Sequence, residues 1–462
     1  MKKQQLDLTT GPIASTLVKL SLPIMGTSFI QMAYNLIDMM WVGKLGSNAV
    51  AAVGTAGFYP WLAMAFVSIS RMGGEIKVAQ SVGEKNEKLT KSYIKSSIEL
   101  NIIFSLIYTL FLLIFNKFLV DIFNLGDSEV IKFSREYLYV ISIGMVSYFI
   151  NPVFTSIFNG LGDSKTPFRI NTIGLIANII LDPLLIFGVG FLPEMGVVGA
   201  ALATIISQFI VTICFLILII KNSFEYFKIK LFRNIEFNFY KELIILGLPV
   251  ALQNGLFTLF SMAIGVIVAS FGPVAVAVQK VGSQIESISW MSAEGFSVAM
   301  SSFIGQNYGA KEFDRIKKGC KAGFIIAFVW GIFTTIVLIF GGEYIFKLFI
   351  DEPEAIQSGI SYLVILGYSQ LFMCMEIIST GCFKGVGRTA LPSIINIAFT
   401  GARIPMAYLL SQPQFFGLDG IWWSITLSSI FKGILLLTSF IFLLKIGKLY
   451  KHKKEDTNLD LV

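Results

Sequence analysis

The sequence predicts an all-α membrane protein of twelve transmembrane helices, built as two six-helix lobes that are parallel copies of one another. Three observations carry that prediction. The 462-residue chain is 55% hydrophobic and only 14% charged, with a mean hydropathy of +0.74, far too apolar for a soluble chain of this length. Apolar runs able to cross about 30 Å of hydrocarbon as helices recur from end to end. Four blocks of the first half return, in the same order, in the second.

The runs lie at 15–43, 49–82, 93–115, 133–157, 166–191, 196–220, 242–270, 282–306, 320–342, 359–382, 390–411 and 418–446. The opening "MKKQQLDLTTGPIASTLVKLSLPIMG" has two lysines, but the apolar run behind them is too long for a secretory h-region and has no small-residue cleavage site, so it is read as a retained helix 1. The formal charge of +7 does not call for a nucleic-acid partner. Most Lys and Arg lie in the N-terminus, the even-numbered connections and the C-terminus, and the positive-inside rule then places both termini in the cytoplasm of a multi-pass protein of the cell membrane. The domains follow: an N-terminal lobe over 1–220, a basic and aromatic cytoplasmic linker over 221–241 lying at the membrane interface, a C-terminal lobe over 242–446, and a cytoplasmic tail over 447–462.

The repeat is explicit in residues. A shift of 226 lays "LPIMGTSFIQMAYNLIDMMWVGKLGSNAVAAVG" (22–54) over "LPVALQNGLFTLFSMAIGVIVASFGPVAVAVQK" (248–280), matching Pro23 to Pro249 and Gly46 to Gly272, and "AQSVGEK" (79–85) over "GQNYGAK" (305–311). "FNGLGDSKTP" (158–167) meets "FKGVGRTALP" (383–392) at 225, and "MGVVGA" (195–200) meets "FGLDGI" (416–421) at 221. Six crossings separate the copies, so both have one orientation and an axis along the membrane normal relates them, an arrangement of secondary transporters with the substrate cavity at the repeat interface. These blocks resemble the multidrug and toxic compound extrusion (MATE) transporters over essentially the whole chain, and within that family the prokaryotic DinF-like (DNA-damage-inducible) branch, whose acids sit in the N-terminal half. The resemblance implies a MATE-type fold and cation-coupled antiport of organic, often cationic, drugs.

An intramembrane carboxylate costs about 3 kcal/mol at the bilayer centre and is a functional candidate by default. On helix 1, Gln31, Tyr34, Asn35 and Asp38 recur at i, i+3, i+4 and i+7, a single polar stripe on an apolar helix. Asp38 lies five residues before Gly43, roughly 8 Å from the outer end at 1.5 Å per residue. Helix 5 carries Asp182 six residues before Gly188, at about the same depth, with Asn178 one turn away and Pro183 next to it, which frees carbonyl oxygens. These oxygens suit a proton or a hard ion such as sodium, held by Asp38, Asn178 and Asp182, with Asn35 beside them. The resemblance assigns cation coupling to the same three residues and adds Tyr137 and Thr204. Ile264, Arg403 and Ala407 stand where the second copy would repeat Asp38, Asn178 and Asp182, so coupling is expected in the first lobe alone. The substrate cavity is expected to draw on Gln31, Tyr34, Gln253, Glu294, Glu376 and Arg403, and Arg71 with Glu75 is expected to form an ion pair one turn apart.

No cofactor is expected. The single histidine, His452, is in the tail, and the four cysteines form no CxxC pair, which argues against an intramembrane histidine or zinc centre. "GEKNEKLTKS" lacks phosphate-loop spacing. Nothing pairs a nucleophile with a base, so no enzyme is expected. The expected protein is a monomeric, proton- or sodium-coupled multidrug exporter in contact with lipid. The alternative is a lipid-linked precursor flippase of the wider superfamily, which would need cationic clusters in the spans of both halves; Arg71, Lys77 and Arg403 are the deep cations the sequence suggests.

Overall fold

A computed structural model describes residues 6–188, 190, 193–221, 225–347, 349, 352–447 and 449. The expected tail therefore lies almost wholly outside the described residues, as do 222–224 of the linker. The described chain is all helical, with no strand. The first half comprises α1 (Ile13–Gly43), α2 (Ser47–Ala56), α3 (Phe58–Gly83), α4 (Glu87–Asp121), α5 (Ser128–Ile143), α6 (Met145–Gly160), α7 (Lys165–Ile186) and α8 (Gly196–Lys221). The second comprises α9 (Phe237–Ala269), α10 (Pro273–Gly309), α11 (Phe313–Phe346), α12 (Pro353–Gly367), α13 (Gln370–Gly385), α14 (Ala390–Leu410) and α15 (Leu418–Lys445).

Twelve crossings account for these helices when α2 with α3, α5 with α6 and α12 with α13 each count as one. Among the described residues nine spans are long and apolar enough by themselves, and two more are bent pairs, at 52° and 49°. The remaining one is α10, whose 37 residues exceed what a bilayer needs but include Lys280, Glu286, Glu294 and a series of serines that lower its hydropathy. The two bends fall at Gly144 and Ser369, equivalent positions of the repeat. Polar side chains set the starts of α4 and α5: Asn86 accepts from the Leu89 amide at 3.0 Å and Asp127 from that of Glu129 at 2.7 Å, each satisfying an N–H that the first turn leaves open.

The chain divides into two compact units, one of residues 1–6 and 26–251, the other of 7–25 and 252–462. Each unit thus includes a segment from the start of the opposite sequence copy. In the first unit the linker is fastened to α4. Glu225 accepts from Lys228 at 2.6 Å and from Lys91 at 3.1 Å, and its carboxyl is held below the ordinary glutamate range by Lys228 foremost and then Lys91. Lys95 donates to the carbonyls of Arg233 and Asn234, and the Tyr240 hydroxyl donates to Glu99 at 2.6 Å. Phe227 stacks on Phe158 at 5.4 Å. The cation on α3 that joins this end is Lys77, whose partner is Glu242, shared with the Tyr93 hydroxyl at 2.8 Å; Glu75, expected to pair with Arg71, is buried and Arg71 is half-buried. In the second unit residues 7–11 are fastened in a comparable way. Arg315 donates to the carbonyls of Leu8, Thr10 and Gly11 at 3.1, 2.6 and 2.8 Å, and Asn307 of "GQNYGAK" adds a bond to Leu8 at 3.0 Å. Leu8 itself is fully buried.

Candidate functional site

In the first unit the polar residues of α1, α5, α7 and α8 converge. Asn178 and Asp182 lie one turn apart on α7, both wholly buried, and the Asn178 amide donates to Asp182 Oδ1 at 2.9 Å. Pro183 follows and has no N–H to offer the carbonyl of Ile179, so the turn that carries Asp182 has a spare acceptor. The two carboxyls of Asp38 and Asp182 are within electrostatic reach of one another. Tyr34, buried, donates from its hydroxyl to the Thr204 carbonyl at 3.3 Å, and Tyr137, also buried, feels Asp38, Tyr34 and Asp182.

What the cluster leaves unmet matters most. Asp38 Oδ1, Asn178 Oδ1 and Asp182 Oδ2 are all shielded from solvent, and none has a hydrogen-bond partner, while the Thr204 and Ser207 hydroxyls are within hydrogen-bond reach of Tyr34. Buried polar atoms are almost always satisfied, since stranding one costs about 1–3 kcal/mol. Three such oxygens from two helices, with two carboxyls among them, form an acceptor-rich centre short of donors. A proton or a hard monovalent ion is the chemistry that such a donor set fits. Ser207, one turn from Thr204 on the largely apolar α8, was the member sequence reasoning missed; the i, i+3 spacing of the two hydroxyls is the signal that marks it.

The close approach of α8 to α7 is secured by Gly199. A Cβ there would stand 2.2 Å from the carbonyl oxygen of Leu185, so only glycine admits the contact. The equivalent glycine of the second unit, Gly420, would place a Cβ 2.1 Å from the carbonyl oxygen of Leu410. The offsets of 225 and 221 therefore hold in three dimensions.

Other predicted residues fall outside this centre. Gln31 and Asn35 are exposed on α1. In the second unit Gln253 is half-buried and Glu294 lies 3.8 Å from Lys384. Glu376 is ion-paired with Lys432 at 2.9 Å, with side chains only 10% and 8% exposed, so a fourth deep cation joins the three the sequence suggested. Arg403 donates through Nε to Ser428 at 2.6 Å and through Nη2 to Ser429 at 3.0 Å. A separate cleft of about 400 Å³ lies among Asn48, Glu129, Glu136 and Glu194 of the first unit, and none of the predicted residues lines it.

Comparison with known proteins agrees with this organisation. The family model described as MatE matches twice, over residues 23–184 and 249–409, one match per repeat. The chain is 29% identical to a probable multidrug resistance protein NorM of Thermotoga maritima, over 93% of this chain and 92% of that protein. It is 30% identical to the probable multidrug resistance protein YoeA of Bacillus subtilis, over 87% of each. A crystal structure of MATE in complex with MaD5 superposes with a TM-score of 0.88 at 23% identity, covering 96% of this chain and 99% of that one. The duplicated family match, the relatives spanning nearly the whole chain and the shared fold lead to one conclusion: this chain belongs to the MatE family, as a multi-pass membrane transporter and not an enzyme.

Proposed function

We propose that this transporter is a secondary active exporter of organic, often cationic, compounds from the cell, driven by the inward movement of a proton or sodium ion through the Asp38 centre. The carrying observation is the set of three buried, partnerless oxygens on Asp38, Asn178 and Asp182. Relatives named as multidrug proteins support the substrate class, among them the multidrug export protein MepA of Staphylococcus haemolyticus, 25% identical over 93% of this chain and of that protein. We place the protein in the cell membrane as a monomer with both termini cytoplasmic.

In this mechanism Asp38 and Asp182 share one cation. Asn178 orients Asp182 through its amide and offers its own oxygen, while Tyr34, Tyr137, Thr204 and Ser207 close the centre against water. Taking up the cation supplies what the three carboxyl and amide oxygens lack and favours a rearranged first unit, and the drug leaves in the state so favoured. Energetics set the scale: a charge crossing 100 mV releases about 2.3 kcal/mol, and one pH unit about 1.4. One proton thus sustains roughly a 400-fold gradient of a neutral drug, at tenfold per 1.4 kcal/mol. A one-for-one exchange with a monovalent cationic drug is electroneutral and uses the pH difference alone.

The test is ethidium export from proteoliposomes under separately imposed proton and sodium gradients. One gradient drives export by the wild type, and Asp38→Asn abolishes it while the protein stays monodisperse and folded. Normal efflux by Asp38→Asn would sink the assignment.

A further inference from the structure

The second unit has a polar centre of its own, at the positions that repeat the first. By the local offsets Asn178 becomes Arg403, Tyr137 becomes Tyr362, Ser207 becomes Ser428 and Asn151 becomes Glu376; the paired contacts of Gly199 and Gly420 confirm those offsets in space. The two acids have no counterpart. Ile264 and Ala407 stand in their places and are packed into one buried apolar cluster with Tyr362 and Trp422. What the second unit has instead is a guanidinium, bonded to Ser428 Oγ at 2.6 Å, the counterpart of the Ser207 hydroxyl in the first.

The charges around it close. Arg403 is within electrostatic reach of Glu376 and Glu286. Glu286 accepts from the Gln370 amide at 3.1 Å, and Glu376 holds Lys432 at 2.9 Å. Two carboxylates and two fixed cations share the centre, Lys432 paired with Glu376 and Arg403 bonded to the serines, with Tyr362 and Cys374 as titratable neighbours. Buried charges persist only when compensated, and among the described residues the compensation comes from side chains of the same unit. We infer that Arg403 is a tethered cation: it occupies, in the second repeat, the place of the exchangeable cation of the first, and so makes that centre a cation site permanently filled by the protein itself. This rests on the reading of the Asp38 cluster as the coupling site. It means that the second repeat contributes no exchangeable cation to the cycle.

Removing the guanidinium leaves two carboxylates facing one cation, and the deficit is made good from solution by sodium or a proton. The measurement is cation uptake by the purified full chain, followed as bound radioactive sodium and as protons taken up across the range in which a glutamate titrates. Asp38→Asn with Asp182→Asn removes uptake. Adding Arg403→Gln to that double variant restores one cation equivalent, adding Glu286→Gln as well removes it again, and Arg403→Lys restores nothing because it keeps the charge. A folded Arg403→Gln chain on the double-variant background that takes up neither sodium nor protons overturns the inference. Should Arg403→Gln not fold, Arg403→Ala purified with millimolar ethylguanidinium decides: recovery of a folded chain by the free cation supports the tethered-cation reading, and failure of rescue overturns it. The coupling reading fails separately, if the wild type takes up no cation that Asp38→Asn with Asp182→Asn removes.

Discussion

Gly199→Ala separates the geometry of the coupling site from general destabilisation, because the fold supplies its own control. The new methyl would begin 2.2 Å from the Leu185 carbonyl oxygen, against an ordinary carbon–oxygen separation near 3.4 Å, so α8 has to retreat from α7 by on the order of 1 Å. Backbone cannot swing aside as a side chain does, and overpacking of this kind costs about 1–3 kcal/mol. At about 2–4 °C per kcal/mol for a unit of this size, the melting temperature falls by up to roughly 10 °C. Gly420→Ala meets the Leu410 carbonyl oxygen at 2.1 Å and costs about the same. Only Gly199→Ala, however, moves Thr204 and Ser207 away from Asn178 and Asp182, and a displacement of about 1 Å in a positioned site is worth about a hundredfold in function. The assay is thermal unfolding in detergent together with the concentration of coupling cation that half-saturates export. Equal thermal shifts with a loss of cation response in Gly199→Ala alone are expected. Unchanged melting in both would refute the packing argument, and an equal cation response in both would refute the claim that the α7–α8 separation sets the site.

Two further outcomes follow from buried polar groups. Lys432→Met strands Glu376 in the second unit and lowers stability by about 3–5 kcal/mol, whereas Lys432→Met with Glu376→Gln recovers most of it, since removing both charges of a buried pair is far less costly than removing one; the double-variant cycle by thermal unfolding checks it, and a double no more stable than the single contradicts it. Ser207→Ala deletes one oxygen from the coupling centre and weakens cation binding by about tenfold, the equivalent of about 1.4 kcal/mol, without loss of folded protein; an unchanged binding isotherm would remove Ser207 from the site.

Much of this molecule was legible in the chain itself. Bilayer thickness dictates the length of an apolar helix, so the crossings could be located from hydropathy, and duplication at nearly one offset gave the repeat. The cost of a carboxylate in hydrocarbon singled out Asp38 and Asp182, and helical spacing put Asn178 on the face of Asp182. One-dimensional periodicity nonetheless treats every polar residue of a stripe alike, and tertiary packing divided the stripe of α1 into a buried Tyr34, a half-buried Asp38 and an exposed Gln31 and Asn35. Ser207 passed unnoticed because a hydroxyl on a largely apolar helix is ordinary until tertiary packing buries it beside Tyr34. Lys432 was equally silent in an apolar run, since its meaning lies in Glu376, 56 residues away in sequence and 2.9 Å away in space. On α3 the pairing of Lys77 was not legible, because its partner Glu242 comes from the start of the second copy, which packs with the first unit. The sequence by itself determined the membrane helices, their duplication and the presence of the acids, because burial in hydrocarbon constrains composition directly. Tertiary structure alone decided which oxygens go without partners and which charges cancel, because those depend on distances between helices that local sequence does not encode.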